Sequence, residues 1–124
     1  MDKIKILVAT HKEVDMKSFG DCYSLIQVGG ATLPYLHDNV SDNISEKNPT
    51  YCELTALYWG WKNIKAEYKG LCHYRRYLGK NYFAMDSYKN IFTEQELEKL
   101  LVQYDVLLPE AKYRGLNNSW YPTE

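Results

Sequence analysis

The chain has 124 residues, of which 45% are hydrophobic and 25% charged, a composition typical of one compact globular domain. Fifteen basic and sixteen acidic residues give a net charge of −1, which argues against general attraction to nucleic acid or anionic lipid. Cys22, Cys52 and Cys72 are far apart and form no CxxC pair, so we expect buried free thiols in a reducing cytosol rather than a zinc or redox site. The short apolar run near the start does not resemble a signal peptide, and no transmembrane segment is predicted.

Two strands are predicted in the first thirty residues. Residues 3–10 contain the alternating Ile4, Ile6 and Val8 and end at a polar Thr-His-Lys sequence, which indicates a strand followed by a loop. Residues 24–28 form a second short strand. It ends at Gly29 and Gly30, which permit positive backbone torsions and close approach of another group.

A long polar segment and a helix are predicted next. Residues 31–48 are rich in Asp, Asn and Ser without apolar periodicity, which predicts an irregular surface loop of the kind that often carries function. Thr50 and Glu53 have the spacing of a capping box, so a helix is expected from there to about Ala66, with a polar face toward solvent. The apolar residues that recur at helical spacing are Leu54, Leu57, Tyr58, Trp61 and Ile64.

The remaining pattern completes an α/β fold. Residues 70–74 are predicted as a strand, Thr93 and Glu96 form a capping box before an amphipathic helix, and residues 105–108 are predicted as a buried strand closed by Pro109. Residues 113–124 lack periodicity and are expected to form an irregular tail on the surface. Strands alternating with helices predict a Rossmann-like, mostly parallel sheet flanked by helices.

In open parallel sheets, ligands bind beyond the carboxyl ends of the strands. This rule selects residues 10–12, the loop from Gly29 onward, and residues 73–76. Arg75 and Arg76 could bind a diphosphate through their guanidinium groups, whereas alternation along a strand would equally send one to solvent and the other to a structural salt bridge. His73 could act as a base or ligand, although His73, His11 and His37 are each more often hydrogen-bonded structural residues.

A divalent cation is a further option. The carboxylates of Asp38, Asp42 and Glu46 lie in the polar loop and could hold Mg²⁺ or Mn²⁺, with Asp38 and Asp42 as weak candidates. The competing explanation, which we weigh somewhat higher for each residue, is that Asp and Asn favour turns by bonding their own backbone. No glycine-rich phosphate loop is present, which argues against a nucleoside triphosphatase or a dinucleotide dehydrogenase.

Four blocks of the sequence resemble one known family in the same order. They are residues 8–12 (VATHK), 26–29 (IQVG), 42–63 (DNISEKNPTYCELTALYWGWKN) and 70–77 (GLCHYRRY). The family is that of bacterial capsular and exopolysaccharide glycosyltransferases long catalogued as a domain of unknown function. The resemblance covers about residues 3–109 and implies a GT-A-like fold of which this chain carries only the N-terminal half.

The resemblance implies an activity and a location. It implies transfer of a hexosyl group, of the galactosyl or galactofuranosyl kind, from a nucleotide-sugar to a glycan or lipid-linked glycan acceptor. The expected location is the cytoplasm, with the inner face of the cytoplasmic membrane as an alternative. Association with other polysaccharide-assembly enzymes is also implied. Residues 1–112 would then be the nucleotide-sugar-binding half and 113–124 the irregular tail.

The resemblance also suggests roles for individual residues. The usual Asp-x-Asp metal motif is absent, so Arg75 and Arg76 would stabilise the diphosphate instead of a cation. Tyr51 and Glu53 would orient the loop. The donor-binding residues would be Thr10, His11, Lys12, Asp42, Asn43, Glu46, His73, Arg75 and Arg76.

Two other functions are alternatives to this one. The chain could be a non-catalytic, truncated relative that serves as a binding or assembly module, which an exposed apolar edge would favour. It could also bind single-stranded nucleic acid through aromatic residues interleaved with His73, Arg75 and Arg76. The near-neutral net charge argues against nucleic acid as a partner.

Overall fold

The computed structural model describes residues 2–15, 20–80 and 90–109. The strands are β1 (Asp2–Thr10), β2 (Tyr23–Gln27), β3 (Leu36–His37) and β4 (Ala66–His73), and the helices are α1 (Asn48–Tyr51), α2 (Leu54–Asn63) and α3 (Glu94–Gln103). A 3₁₀ helix, Ser45–Lys47, precedes α1. The four strands form one sheet in the order β3-β2-β1-β4, and every pair in it is parallel. The predicted α/β fold with a parallel sheet is confirmed.

β1 is an interior strand of the sheet, paired with β2 on one side and β4 on the other, and both of its faces are apolar. Ile6 and Val8 belong to a core that includes Leu97 of α3, whereas Leu7 and Ala9 belong to a second core with residues of α2. The helices therefore cover opposite faces, and the burial of β1 on both sides fits a central parallel strand. The helices and the sheet form three layers. Because β1 and β4 pair in parallel, their carboxyl ends lie side by side.

The predicted helix from Thr50 to about Ala66 is wrong in its boundaries. The chain forms α1, then breaks at Cys52, whose φ of 53° is unusual for a residue with a side chain, and begins α2 at Leu54. Glu53 precedes α2 without any side-chain capping bond, so the Thr50–Glu53 capping box does not form. Pro49 suits the first turn of α1, and helical structure therefore begins before Thr50. Cys52 is exposed, which corrects the expectation that all three thiols are buried.

The buried face of α2 also differs from the predicted one. Leu54, Leu57 and Trp61 are 51%, 43% and 62% exposed, and the helix instead buries a different face against the sheet. Gly60 lies on this buried face, and a Cβ there would lie 2.8 Å from Leu7 Cδ1, so a larger residue would require the Leu7 side chain to shift. The buried residues of α2 are Thr55, Ala56, Trp59 and Gly60.

The segment 31–48 has more structure than its composition predicts. The two residues of β3 pair in parallel with β2, placing Leu36 beside Ile26, and they are too few to produce a recognisable apolar pattern. Asp38 follows β3 and is completely buried. The predicted irregular surface loop is therefore a folded connection with a buried polar residue.

Towards the end of the described chain, one prediction is confirmed and another is wrong. α3 begins with the predicted capping box, in which Thr93 and Glu96 bond each other's backbone N–H groups. Residues 105–108 do not form the predicted buried strand, since Val106 and Leu108 are 68% and 81% exposed. An apolar sequence alone does not make a strand, because a strand also needs a neighbour to hydrogen-bond. The predicted tail, residues 113–124, lies outside the described residues.

Candidate functional site

The loops after β1 and β4 meet at one edge of the sheet, as the parallel topology predicts. Ala9 is the register partner of His73, and the Tyr74 N–H donates to the Ala9 carbonyl oxygen at 3.1 Å. Residues 10–12 and 73–76 are therefore neighbours, although more than sixty positions separate them in the sequence.

Thr10 shapes the first of these loops. Its side chain is buried, and its hydroxyl donates to the Lys12 carbonyl at 2.6 Å while accepting from the Lys12 N–H at 3.1 Å. The hydroxyl thus closes a local turn. Within that turn, His11 and Lys12 are exposed at the sheet edge, and the contribution of Thr10 is to hold them there.

Tyr74 is the centre of a group of basic side chains from both loops. The His11 ring packs edge-on against it at 5.7 Å between centroids, and Lys12 Nζ lies 5.3 Å from the Tyr74 centroid. The Arg75 guanidinium carbon lies 5.5 Å from the same centroid, within the range of a cation–π contact. We call His11, Lys12, Tyr74 and Arg75 the Tyr74 cluster.

The cations of the Tyr74 cluster form no salt bridge with a carboxylate in the described part of the chain. The ion pairs among residues 2–15, 20–80 and 90–109 are Lys3–Glu67 and Lys80–Glu96, and neither involves Lys12 or Arg75. Two cations that lie over the same ring, neither in a salt bridge with another described residue, create a local positive potential. The cluster is therefore suited to an anionic ligand even though the chain as a whole is nearly neutral.

His73 closes the second loop. The Arg76 N–H donates to the His73 carbonyl at 2.8 Å, and the Arg75 N–H donates to His73 Nδ1 at 3.2 Å, a bond that requires Nδ1 to carry no proton. Partial burial lowers the pKa of His73, and the positive charges of Arg75 and His11 lower it further, while Glu53 opposes them. The neutral ring thus fits its role in the turn.

Arg75 and Arg76 occupy different environments. Arg75 contacts Tyr74 beside the first-strand loop, which is the placement expected of at least one arginine. Arg76 is exposed and takes part in the turn through its backbone. Its side chain forms no ion pair with any residue of the described ranges, so the structural salt bridge weighed as an alternative is not found there.

Asp38 anchors the polar loop from inside the protein. Its carboxylate accepts hydrogen bonds from Ser45 Oγ at 2.7 Å and from Thr55 Oγ1 at 2.5 Å, and its backbone N–H donates to the Gln27 carbonyl at 3.2 Å. One side chain therefore connects the 3₁₀ helix with α2, while its backbone continues the pairing with β2.

Three more residues of α2 hold this loop in place. Tyr58 donates to Asp42 Oδ1 at 2.8 Å, and Trp59 Nε1 donates to the Val40 carbonyl at 2.9 Å. Asn63 Nδ2 donates to the Asp42 carbonyl at 2.8 Å. The sequence analysis did not predict these contacts or that of Thr55, because it used only the spacing of the apolar residues in α2. The polar groups on this largely apolar helix could have indicated hydrogen bonds to the loop.

The other residues predicted to shape the donor loop have mainly local contacts. Asn43 Oδ1 accepts from the Ser45 N–H at 3.1 Å at the start of the 3₁₀ helix, and Glu46 is exposed on it. Tyr51 and Glu53 are exposed, and neither side chain hydrogen-bonds the loop within the described part of the chain. The negative charge of Glu53 acts instead on His73, the residue before Tyr74, where it opposes the lowering of the His73 pKa by burial.

The acidic residues of the described ranges do not form a recognisable cation site. Both oxygens of Asp38 accept bonds from hydroxyl groups in a fully buried position, and Asp42 bonds Tyr58. The described residues contain no group of three His, Cys, Asp or Glu side chains that could hold a metal ion. The donor set at Asp38 and Asp42 therefore does not fit Mg²⁺ or Mn²⁺, which prefer several convergent oxygen ligands.

Comparison with known families places the chain in one of them. A family model described as a domain of unknown function, DUF4422, matches residues 5–122. This chain belongs to the DUF4422 family. The match includes most of the segment 113–124, which the sequence resemblance had left out. A search of curated proteins found no significant match to this DUF4422 chain.

One solved structure adds a link to sugar transfer. The DUF4422 chain is similar to part of the apo structure of WbbM, a bifunctional glycosyltransferase, with 39% sequence identity and a TM-score of 0.58. The similarity covers 65% of this chain and 15% of WbbM. The fold is thus glycosyltransferase-like. As for membranes, the described helices are all too short or too polar to cross one.

Proposed function

We propose that this DUF4422 chain is the donor-binding part of a glycosyltransferase, and that the Tyr74 cluster binds the diphosphate of a nucleotide-sugar. The similarity to part of WbbM supports the general activity. The position of Lys12 and Arg75 at the carboxyl ends of β1 and β4, where neither forms a salt bridge with any described residue, carries the assignment of the site.

The chemistry explains why this location needs positive charge. When the bond between the sugar and the diphosphate breaks, the leaving oxygen gains negative charge. Lys12 acts as a point charge, whereas the planar guanidinium of Arg75 can bond two phosphate oxygens at once. Positive groups already held in place lower the energy of that transition state, since they need no rearrangement as the reaction occurs.

The proposal gives the remaining predicted residues supporting roles. Thr10 and His73 maintain the two turns that present the cluster, and Arg76 adds exposed positive charge beside it. The loop that includes Asp42, Asn43 and Glu46 is held on α2 and would contact the nucleoside or sugar. We assign no step to a divalent cation.

The finer biological assignment follows from the family resemblance. We propose that the transferred group is a hexosyl unit of the galactosyl or galactofuranosyl kind. The acceptor would be a growing capsular polysaccharide or exopolysaccharide, free or lipid-linked, at the cytoplasmic side of the membrane. Neighbouring polysaccharide-assembly enzymes would be the protein partners.

Calorimetric titration of the chain with uridine and guanosine diphosphates, their sugar conjugates and the monophosphates tests this proposal. A diphosphate compound should bind more tightly than its monophosphate, because Lys12 and Arg75 can meet two phosphate groups. Arg75→Met and Lys12→Met should each weaken binding about tenfold, the effect of losing about 1.4 kcal/mol.

Lys62→Met is the matched control, since Lys62 Nζ also lies over an aromatic ring, 3.8 Å from the Trp61 centroid, but outside the cluster. It should leave nucleotide affinity unchanged. Equal weakening by all three substitutions would point to nonspecific attraction, and absence of binding by every diphosphate compound would reject the donor site.

A second candidate is a non-catalytic binding or assembly module. The exposure of Leu54, Leu57 and Trp61 on one side of α2 favours it, because such surfaces commonly contact other proteins. Diphosphate binding that Arg75→Met weakens would favour the donor site. A protein that ignores nucleotides but binds another polysaccharide-assembly enzyme would favour the module.

A further inference from the structure

The turn between α1 and α2 holds a residue in an unusual conformation. Cys52 has a φ of 53° and a ψ of −131°, a combination that glycine adopts readily and other residues rarely. Its N–H donates to the Asn48 carbonyl at 2.7 Å, and its own carbonyl accepts from Asn48 Nδ2 at 2.8 Å and from the Thr55 N–H at 3.2 Å. A strained turn persists where such contacts hold it, and it is then commonly part of a functional site. The residue that this turn positions is Glu53.

The same contacts fix the turn at the carboxyl end of the sheet. α2 follows β3 and leads into β4, which runs in the same direction, so its first turn lies where the strands end. Thr55 bonds Asp38, the residue after β3. Asn48 packs against Gly29 in the loop after β2, so closely that its Oδ1 would lie 3.0 Å from a Cβ there. Glu53 is therefore built into the edge formed by the loops after the strands.

Glu53 also lies near the loops that carry the Tyr74 cluster. Its carbonyl accepts the Ala56 N–H at 3.0 Å, in the first turn of α2. Ala56 is completely buried in the core that includes Ala9, and Ala9 is the register partner of His73. Burial lowers the pKa of His73, and the negative charge of Glu53 opposes that shift, which agrees with this placement. The edge thus carries cations from the loops after β1 and β4 and a carboxylate from the start of α2.

The packing of the described residues does not use the Glu53 side chain. It is exposed, it forms no capping hydrogen bond at α2, and it forms no salt bridge in residues 2–15, 20–80 and 90–109. Its charge does interact favourably with the dipole of α2, but that interaction does not require a strained turn before the helix. A ligand at the edge of the sheet would account for both the turn and the carboxylate.

The chemistry of a carboxylate decides which part of a ligand Glu53 can contact. An ionised carboxylate only accepts hydrogen bonds, and it repels phosphate oxygens. Sugar hydroxyls are donors, and their hydrogen bonds to a charged acceptor are strong. In a nucleotide-sugar the hexosyl group is bonded directly to the diphosphate, so its hydroxyls lie next to the groups that bind the phosphates.

We propose that the Glu53 carboxylate accepts hydrogen bonds from hydroxyl groups of the transferred sugar, beside the diphosphate held by the Tyr74 cluster. This inference rests on the proposed function and adds a specificity-determining residue to it. Because the turn at Cys52 fixes the backbone of Glu53 before any ligand arrives, little order has to be gained on binding. The carboxylate also makes the site prefer a nucleotide-sugar over the free nucleotide that remains after transfer.

Calorimetric titration of the full chain tests this preference by comparing each free nucleotide with its sugar conjugates. The probes are uridine diphosphate with its galactopyranose and galactofuranose conjugates, and guanosine diphosphate with its mannose conjugate. Glu53→Gln keeps the size of the side chain and removes its charge. It should weaken binding of the conjugate about tenfold, through loss of a hydrogen bond to a charged group. The free nucleotide should bind as tightly as before or more tightly, because a nearby negative charge is gone.

Glu94→Gln is the matched control. Glu94 also lies in the first turn of a helix, α3, but its charge adds to the burial that raises the pKa of Cys22, ahead of β2 at the other end of the sheet. This variant should bind nucleotides and conjugates like the wild type. Circular dichroism would verify that both variants fold.

The outcomes separate this inference from the proposed function. A Glu53→Gln variant that binds the conjugate like the wild type, or that weakens free nucleotide and conjugate equally, would overturn the role of Glu53 and leave the diphosphate site intact. A wild-type chain that binds none of the diphosphate compounds would reject the donor site itself, and the sugar contact with it.

Discussion

Replacing Thr55 by valine should destabilise the protein far more than its conservative appearance suggests. Thr55 Oγ1 donates to the buried Asp38 carboxylate at 2.5 Å, and Asp38 has one other side-chain donor, Ser45, among the described residues. Valine keeps the shape of threonine but cannot donate. The substitution therefore leaves one oxygen of a fully buried carboxylate without its partner.

The expected magnitude follows from that contact. A hydrogen bond to a charged group contributes about 1.5–3 kcal/mol, and an unsatisfied buried acceptor incurs a desolvation cost of similar size. We therefore expect Thr55→Val to lower the free energy of unfolding by about 2 kcal/mol. With a urea m-value of about 2 kcal/mol/M, the unfolding midpoint falls by about 1 M.

Urea unfolding followed by circular dichroism measures this effect, with Thr55→Ser as the control because serine keeps the hydroxyl. Serine should cost less than about 1 kcal/mol, the value of one buried methyl group. If Thr55→Val and Thr55→Ser lowered the unfolding free energy equally, Asp38 would not depend on Thr55 and the account of the loop would be refuted.

Three further predictions concern the cysteines, His73 and α3. Burial raises the pKa of Cys22 to about 11 and that of Cys72 to about 12, whereas Cys52 is exposed. A thiol reagent at about pH 8 should therefore modify Cys52 in the native protein and the other two cysteines only after unfolding. Rapid labelling of the native Cys52→Ser variant would contradict this prediction. Partial burial lowers the pKa of His73 and so favours the neutral ring, whose Nδ1 accepts the Arg75 N–H bond. Protonation would break that bond and loosen the turn that presents Arg75, so nucleotide affinity should fall as the pH drops from about 8 to about 6. His73→Gln should reduce that dependence in calorimetry, and an affinity that rises toward acid pH would contradict the role of His73 in the turn. Thr93→Ala removes the capping box of α3 and should lower the unfolding free energy by about 1 kcal/mol, whereas no loss would mean that the cap is not needed.

The sequence predicts the fold well where pattern and packing agree. The alternation in β1 and the Thr93–Glu96 spacing each reflect a local physical requirement, so the strand and the helix could be located without coordinates. The buried face of α2 could not be predicted in this way, because the face marked by its regularly spaced apolar residues is not the face that packs against the sheet. Gly60 of the buried face packs closely against Leu7 of β1, and that contact joins two segments far apart in the sequence.

In the candidate site, too, the features that follow from the strand pattern could be predicted, whereas contacts between distant segments could not. The rule for parallel sheets predicts that residues 10–12 and 73–76 converge, and the register of Ala9 with His73 agrees with it. The role of Tyr74 as the common contact of the basic side chains was not predicted, since a tyrosine within a strand-end sequence is equally typical of a core. The burial of Asp38 was also missed, because its partner Thr55 lies seventeen positions away.

Nuclear magnetic resonance titration of the ¹⁵N-labelled chain with uridine diphosphate and guanosine diphosphate tests the diphosphate site most directly. The account predicts that one of them causes saturable shifts concentrated at the amides of residues 10–12 and 73–76, and that Arg75→Met reduces those shifts. Shifts confined to other parts of the chain, or none with either nucleotide, would contradict it.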